Sequence, residues 1–152
     1  MEPTPANLAE IPFFKDMSWQ QLETLSACAM SVRFEANTHI FKTGDVANRF
    51  YVLISGKVQL ESAVEDSRSI PIQVLEGGDV LGWSWLFPPY HWRFDARTLE
   101  PVEAIFFYGT RLREQADQDP ALCCTLMKRM TPVILARLQA TRTELAKAKG
   151  HR

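Results

Sequence analysis

Cysteine is scarce in this 152-residue chain: Cys28, Cys123 and Cys124, an odd count with two adjacent. They build neither a disulfide framework nor a CxxC metal motif, and reduced thiols in a cytoplasmic protein are the simplest reading. Net charge is also small, −1 with 23% charged residues, which excludes a disordered polyelectrolyte and a protein that binds polyanions over its whole surface. No run approaches the roughly 18 apolar residues of a membrane span. The opening MEPTPANLAE lacks the basic start and apolar stretch of a signal peptide. Catalytic signatures are missing too: there is no Gly-x-Ser-x-Gly elbow, phosphate-binding P-loop or HExxH. The three histidines, His39, His91 and His151, lie far apart with none at ligand spacing. A non-catalytic protein without metal or other cofactor is therefore expected.

What is present is apolar content, 46% of the chain, enough for one domain with a real core. Charge is divided unevenly. Residues 1–110 carry 8 Lys/Arg against 14 Asp/Glu, and residues 111–152 carry 9 against 4. The basic end, with Arg137, Arg142 and Lys147, is either a docking face for an acidic protein partner or a solvated helix face.

The chain reads in three parts. Residues 1–30 suggest two short helices: Leu8, Ile11 and Phe14 recur at helical spacing, and Ser18 three residues before Gln21 is a capping box. Residues 31–108 switch to a period of two with dense turns. Thr43-Gly44-Asp45, Ser55-Gly56-Lys57 and Glu76-Gly77-Gly78-Asp79 punctuate strands at Phe50–Ile54, Ile70–Leu75 and Val102–Tyr108. Residues 109–152 return to helix. Arg111–Gln118 forms one helix, and Asp119-Pro120 opens another as N-cap and N1. Pro132 should kink or break the latter. Ile134, Leu138, Thr141 and Leu145 then trace a narrow seam that predicts a homodimer through this helix, with packing back on the parent domain as the alternative.

Ile40-Phe41-Lys42-Thr43-Gly44-Asp45, Phe50 to Val58 with its Ser55-Gly56-Lys57, and Gly77-Gly78-Asp79-Val80-Leu81-Gly82 together resemble the cyclic nucleotide-binding domain, and more narrowly the sensor half of Crp/Fnr regulators. The resemblance implies a mainly β fold: an antiparallel β-roll of jelly-roll type with N-terminal helices and a long C-terminal helix, spanning 1–152 as one domain. It implies a regulatory sensor of a small molecule or nucleotide. The family's regulators continue into a helix-turn-helix; this chain ends at Arg152, so no DNA-binding domain is expected within it, whether it is a lone domain or part of a longer one.

The implied ligand segment runs Gly82-Trp83-Ser84-Trp85 to Arg93-Phe94-Asp95-Ala96-Arg97-Thr98, with Thr141 contributed by the long helix. Against the family pattern, Trp83 stands at the ribose-binding glutamate and Asp95 at the phosphate-binding arginine. A carboxylate about 4 Å from a phosphate is repelled by about 4 kcal/mol at an effective dielectric near 20, which weakens binding about a thousandfold. Cyclic AMP is therefore not expected in the usual mode. Arg93, Asp95 and Arg97 would share one strand face, leaving Arg97 either to pair with Asp95 or to take an anion. Backbone N–H groups after Gly82, where they open a helix, are a second candidate for an anion. The aromatics Trp83, Trp85, Phe87, Tyr90, Trp92 and Phe94 either stack on a flat ligand or fill the cavity. A haem sensor using His91, Met127, Met130 or the Cys123-Cys124 pair is the weaker alternative, for want of a ligand pattern.

Overall fold

Strand pairing divides the roll into two four-stranded antiparallel sheets. The computed structural model describes residues 1–63 and 69–150, and the side chains of Ala63 and Gly150 are not among those described. His151, weighed above as a metal ligand, lies outside the described residues. One sheet holds β1 (Ala29–Phe34), β8 (Val102–Tyr108), β3 (Arg49–Ser55) and β6 (Val80–Leu81), in that order. The other holds β2 (His39–Phe41), β7 (Asp95–Thr98), β4 (Val58–Ala63) and β5 (Ser69–Leu75). Helices α1 (Pro5–Ala9) and α2 (Trp19–Ala27) precede the roll, and α3 (Gly109–Gln118) and α4 (Pro120–Gly150) follow it.

Alternation along β3 and β8 creates two cores. Phe50, Val52, Ile105 and Phe107 face the helices, where they meet Leu8, Phe14, Leu25, Leu112 and Leu126. Tyr51, Leu53, Ala104 and Phe106 face inward across the roll to Phe41, Val58, Leu60 and Ala96. A strand buried on both faces reads as a continuous apolar run, as Phe50–Ile54 does.

Local signals act as their chemistry requires. Ser18 Oγ accepts from Gln21 N at 3.1 Å and Gln21 Oε1 accepts from Ser18 N at 3.2 Å, the reciprocal box that starts α2. Gly44, Gly56 and Gly78 all have positive φ in their turns. Gly56 is the most constrained, at φ +94° with an added Cβ 2.4 Å from the Pro101 carbonyl oxygen.

One expectation is corrected. Helix α4 runs unbroken through Pro132. The carbonyl that loses its partner is that of Lys128, and Lys128 and Pro132 are both exposed, so water can replace the missing N–H. Cys28 is buried, half-buried Cys123 packs at the edge of the helix-side core, and Cys124 is exposed. The packed stripe of α4 is Leu122, Leu126, Met130 and the half-buried Val133, so the helix packs back on its own domain along one face. Away from that stripe it exposes Met127, Leu138 and Leu145 along one side and Leu135 at its back. Of the expected seam, Leu138 and Leu145 are on this row, whereas Ile134 and Thr141 sit half-buried at its flank.

Candidate functional site

The roll opens beside the 3₁₀ turn Ser84–Leu86, which carries the implied ligand segment. Gly82 enters it at φ +98°, and a Cβ there would strike the Trp92 ring at 2.7 Å. That missing side chain lets Trp92 fold into the roll, 5% exposed and stacked on Phe41 with ring centroids 3.8 Å apart and planes at 7°. Half-buried Trp83 and exposed Arg93 form the rim, the guanidinium 5.7 Å from the Trp83 ring. Buried Ser84 and Leu60 line the cleft.

Arg137 closes it. The stripe of α4 steps Leu122, Leu126, Met130, Val133 and then Arg137, so a cation occupies the next inward position. Arg137 is 4% exposed; its Nε donates to Gln73 Oε1 on β5 at 3.0 Å. Among the described residues no carboxylate lies within ion-pair distance, and Nη1 and Nη2 donate no hydrogen bond. Burial pulls the guanidinium down from its ordinary value to about 10, against the opposing charge of Asp79. The volume left free among these side chains is about 10 Å³, room for a single water at most. The aromatic cluster therefore fills this part of the roll.

The remaining sequence-derived candidates go elsewhere. Trp85 is fully buried on the helix side, stacked on Phe50 at 5.1 Å. Ala96 and Thr98 face the interior as structure: Thr98 Oγ1 accepts from Thr38 N at 2.8 Å and donates to Glu35 O at 2.6 Å. Asp95 and Arg97 alternate with them and so lie on the outer face of the sheet. Asp95 Oδ1 accepts from Thr43 N at 2.7 Å. Arg97 pairs with Glu61 rather than Asp95, through Nη2 and Nε to Oε1 at 2.8 and 3.0 Å, and donates to Asn37 Oδ1 at 3.2 Å. Glu61 stands opposite Asp95 on β4, one row from Arg97, and Arg97 reaches it diagonally across the two strands. Arg93 falls outside the strand, which begins at Asp95. Thr141 Oγ1 donates to Arg137 O at 2.7 Å, inside its own helix. The repulsion assigned above to Asp95 thus does not act in the cleft.

Comparison with known proteins matches this arrangement. The cyclic nucleotide-binding domain family matches residues 31–119, from β1 through α3. This chain is a cyclic nucleotide-binding domain of the Crp/Fnr regulator family. It is 25% identical over 139 residues to the CRP-like cAMP-activated global transcriptional regulator of Mycobacterium tuberculosis, covering 91% of this chain and 60% of that protein. The Anaerobic regulatory protein of Bacillus subtilis is 25% identical over 112 residues, 72% of this chain and 46% of that one. The chain thus spans about half to three-fifths of these relatives, which are regulators rather than enzymes. A crystal structure from Geobacter metallireducens GS-15, solved as a candidate cyclic nucleotide-binding protein, superposes with a TM-score of 0.80 at 29% identity, covering 89% of this chain and 98% of that one. The c-di-GMP responsive regulator CLP of Xanthomonas campestris shares the fold, with a TM-score of 0.73 at 20% identity over 89% and 66% of the two chains. No described helix of this domain is long and apolar enough to cross a membrane.

Sequence reasoning missed Arg137, Phe41 and Leu60 as cleft residues, whereas Trp92 and Phe94, expected among the cavity aromatics, do line it. The signal for Arg137 was available, since it continues the inward stripe of α4. It becomes legible only once that stripe is known to face the roll rather than a partner.

Proposed function

We propose that this domain is a sensor that takes an anionic small ligand through Arg137, does not hold cyclic AMP in the usual mode, and relays occupancy along α4. One observation carries the reading: the buried cation that lines the cleft belongs to the same helix that exposes Leu135, Leu138 and Leu145. Two N–H groups of the fork with no partner among the described residues, in a low-dielectric site, favour a carboxylate or phosphate oxygen. The free volume of about 10 Å³ means that Trp83, Trp92 or Arg137 must move before a ligand enters. Such movement shifts α4, which gives binding a route to the exposed row, where a second copy would pack as a homodimer. The closed cleft and Trp83 at the glutamate position both count against an unaltered cyclic AMP site. That CLP is c-di-GMP responsive supports a change of ligand within this fold.

Native mass spectrometry of the purified protein tests the reading, since it reports subunit number and any co-purified small molecule together. A dimer carrying an anion that is lost in Arg137→Met supports it. Calorimetry that finds cyclic AMP binding equally well to wild type and Arg137→Met refutes it.

The closed cleft also favours a second reading, a ligand-free module that docks a protein partner through the basic end of α4. Arg142, Lys147 and Lys149 are exposed and available for this, whereas Arg137 is buried and is not. Charge reversal at Arg142 and Lys147 that abolishes a pull-down partner would favour the module.

A further inference from the structure

The outer face of the second sheet carries chemistry that the cleft does not use. His39 on β2, Asp95 on β7 and Glu61 on β4 come from three adjacent strands, and one donor atom of each lies within 4.8 Å of those of the other two. Register brings them there: Glu61 pairs directly with Asp95, and His39 pairs with Arg97 in the next row of the same face. We propose that His39, Glu61 and Asp95 form a binding site for a divalent transition-metal ion of zinc type, independent of the ligand reading above.

Three arguments support the site. Like charges directly opposite on adjacent strands destabilise a sheet, so the Glu61–Asp95 pair requires compensation. Arg97 supplies it to one side only. It engages Glu61 Oε1, as does Gln59 Nε2 at 2.8 Å, while Asp95 has no ion-pair partner within 4.0 Å among the described residues. Glu61 is itself nine-tenths buried, and among the described residues its Oε2 receives no hydrogen bond. A largely buried carboxylate whose second oxygen keeps contact with solvent and takes no donor among the described residues, facing a second carboxylate and an imidazole, has the composition of a nitrogen–oxygen metal site with a position left for water.

Arg97 on Oε1 and the Thr43 N–H on Asp95 Oδ1 then act as orienting hydrogen bonds of the kind that fix ligating carboxylates. Zinc with ligands at about 2.0–2.2 Å needs donor atoms roughly 3.3 Å apart, which rotation of exposed His39 can supply. Beneath these residues the same strands turn Phe41, Leu60 and Ala96 into the roll, so an ion would pin the floor of the cleft from outside.

Titration of the full chain with Zn²⁺, followed by calorimetry and thermal melting, tests the proposal. Wild type should bind one ion per chain and melt at higher temperature with zinc. His39→Ala, a change at an exposed residue that leaves the fold intact, should weaken binding at least tenfold and abolish the thermal shift. Asp95→Asn should do the same, and His91→Ala should change nothing. Co²⁺ should give a spectrum without thiolate charge-transfer bands. Absence of saturable binding, equal binding by His39→Ala, or a thiolate signature from Cys123 or Cys124 would each overturn it.

Discussion

Replacing Arg137 by methionine should stabilise the ligand-free domain. The guanidinium is 4% exposed and burial pulls its pKa down from its ordinary value to about 10, which corresponds to about 3 kcal/mol of penalty on the charged form. Methionine keeps the stem's packing without the charge. It also removes the Nε hydrogen bond and leaves Gln73 Oε1 without its donor, a loss of about 1–2 kcal/mol. The balance is a gain of about 1–2 kcal/mol, in line with other buried ions replaced by apolar residues. For a chain of this length that raises Tm by about 2–8 °C. The pH dependence has a definite sign. The folded-state pKa is depressed, so the penalty is present in full below about pH 10 and fades as the native arginine loses its proton above it. The advantage of the variant should hold from neutral pH to about 10 and shrink beyond. Urea and thermal melts of both proteins, stripped of small molecules, measure this directly. A clear fall in Tm for Arg137→Met at pH 7 would refute the reasoning, because it would mean that the guanidinium is fully satisfied within the protein and is not held for an anion.

Other expectations are simpler. Leu138→Glu with Leu145→Glu should convert a dimer to a monomer in light scattering without altering circular dichroism, because both side chains are exposed in the single chain, at 55% and 45%. Gly56→Ala should destabilise by more than about 2 kcal/mol in urea melts, combining a positive φ with a Cβ pressed on the Pro101 carbonyl. Arg97→Ala should cost about 2 kcal/mol by the same assay, since it leaves Glu61 buried beside Asp95; a neutral result would show that the ion pair is screened. Thiol titration should find Cys124 fast, Cys123 slower and Cys28 silent until unfolding, because burial both hides Cys28 and raises its pKa.

Much of the fold was legible because it rests on local chemistry. The Ser18–Gln21 box, the positive-φ glycines at Gly44, Gly56 and Gly78 and the continuous β-rich run Phe50–Ile54 each restrict the backbone over a few residues. Strand limits followed closely, with Val102–Tyr108 observed at both predicted ends. The site was less legible. Gly82, Trp83, Ser84 and Arg93 were identified and do line the cleft. Asp95 and Arg97 were placed in it and lie on the opposite face.

The sequence by itself therefore determined the family, the order of elements and the absence of the expected cradle glutamate, because motif spacing and turn chemistry are properties of the chain. Tertiary structure decided which way each side chain points. A one-residue difference in the pleat sends Ala96 inward and Asp95 and Arg97 outward, and Arg97 found Glu61 because β4 is its neighbour in the sheet. It also decided that the cleft's cation comes from α4, more than fifty residues from Gly82 in the chain. Which stripe of a helix meets which cavity depends on packing angles that no local pattern encodes.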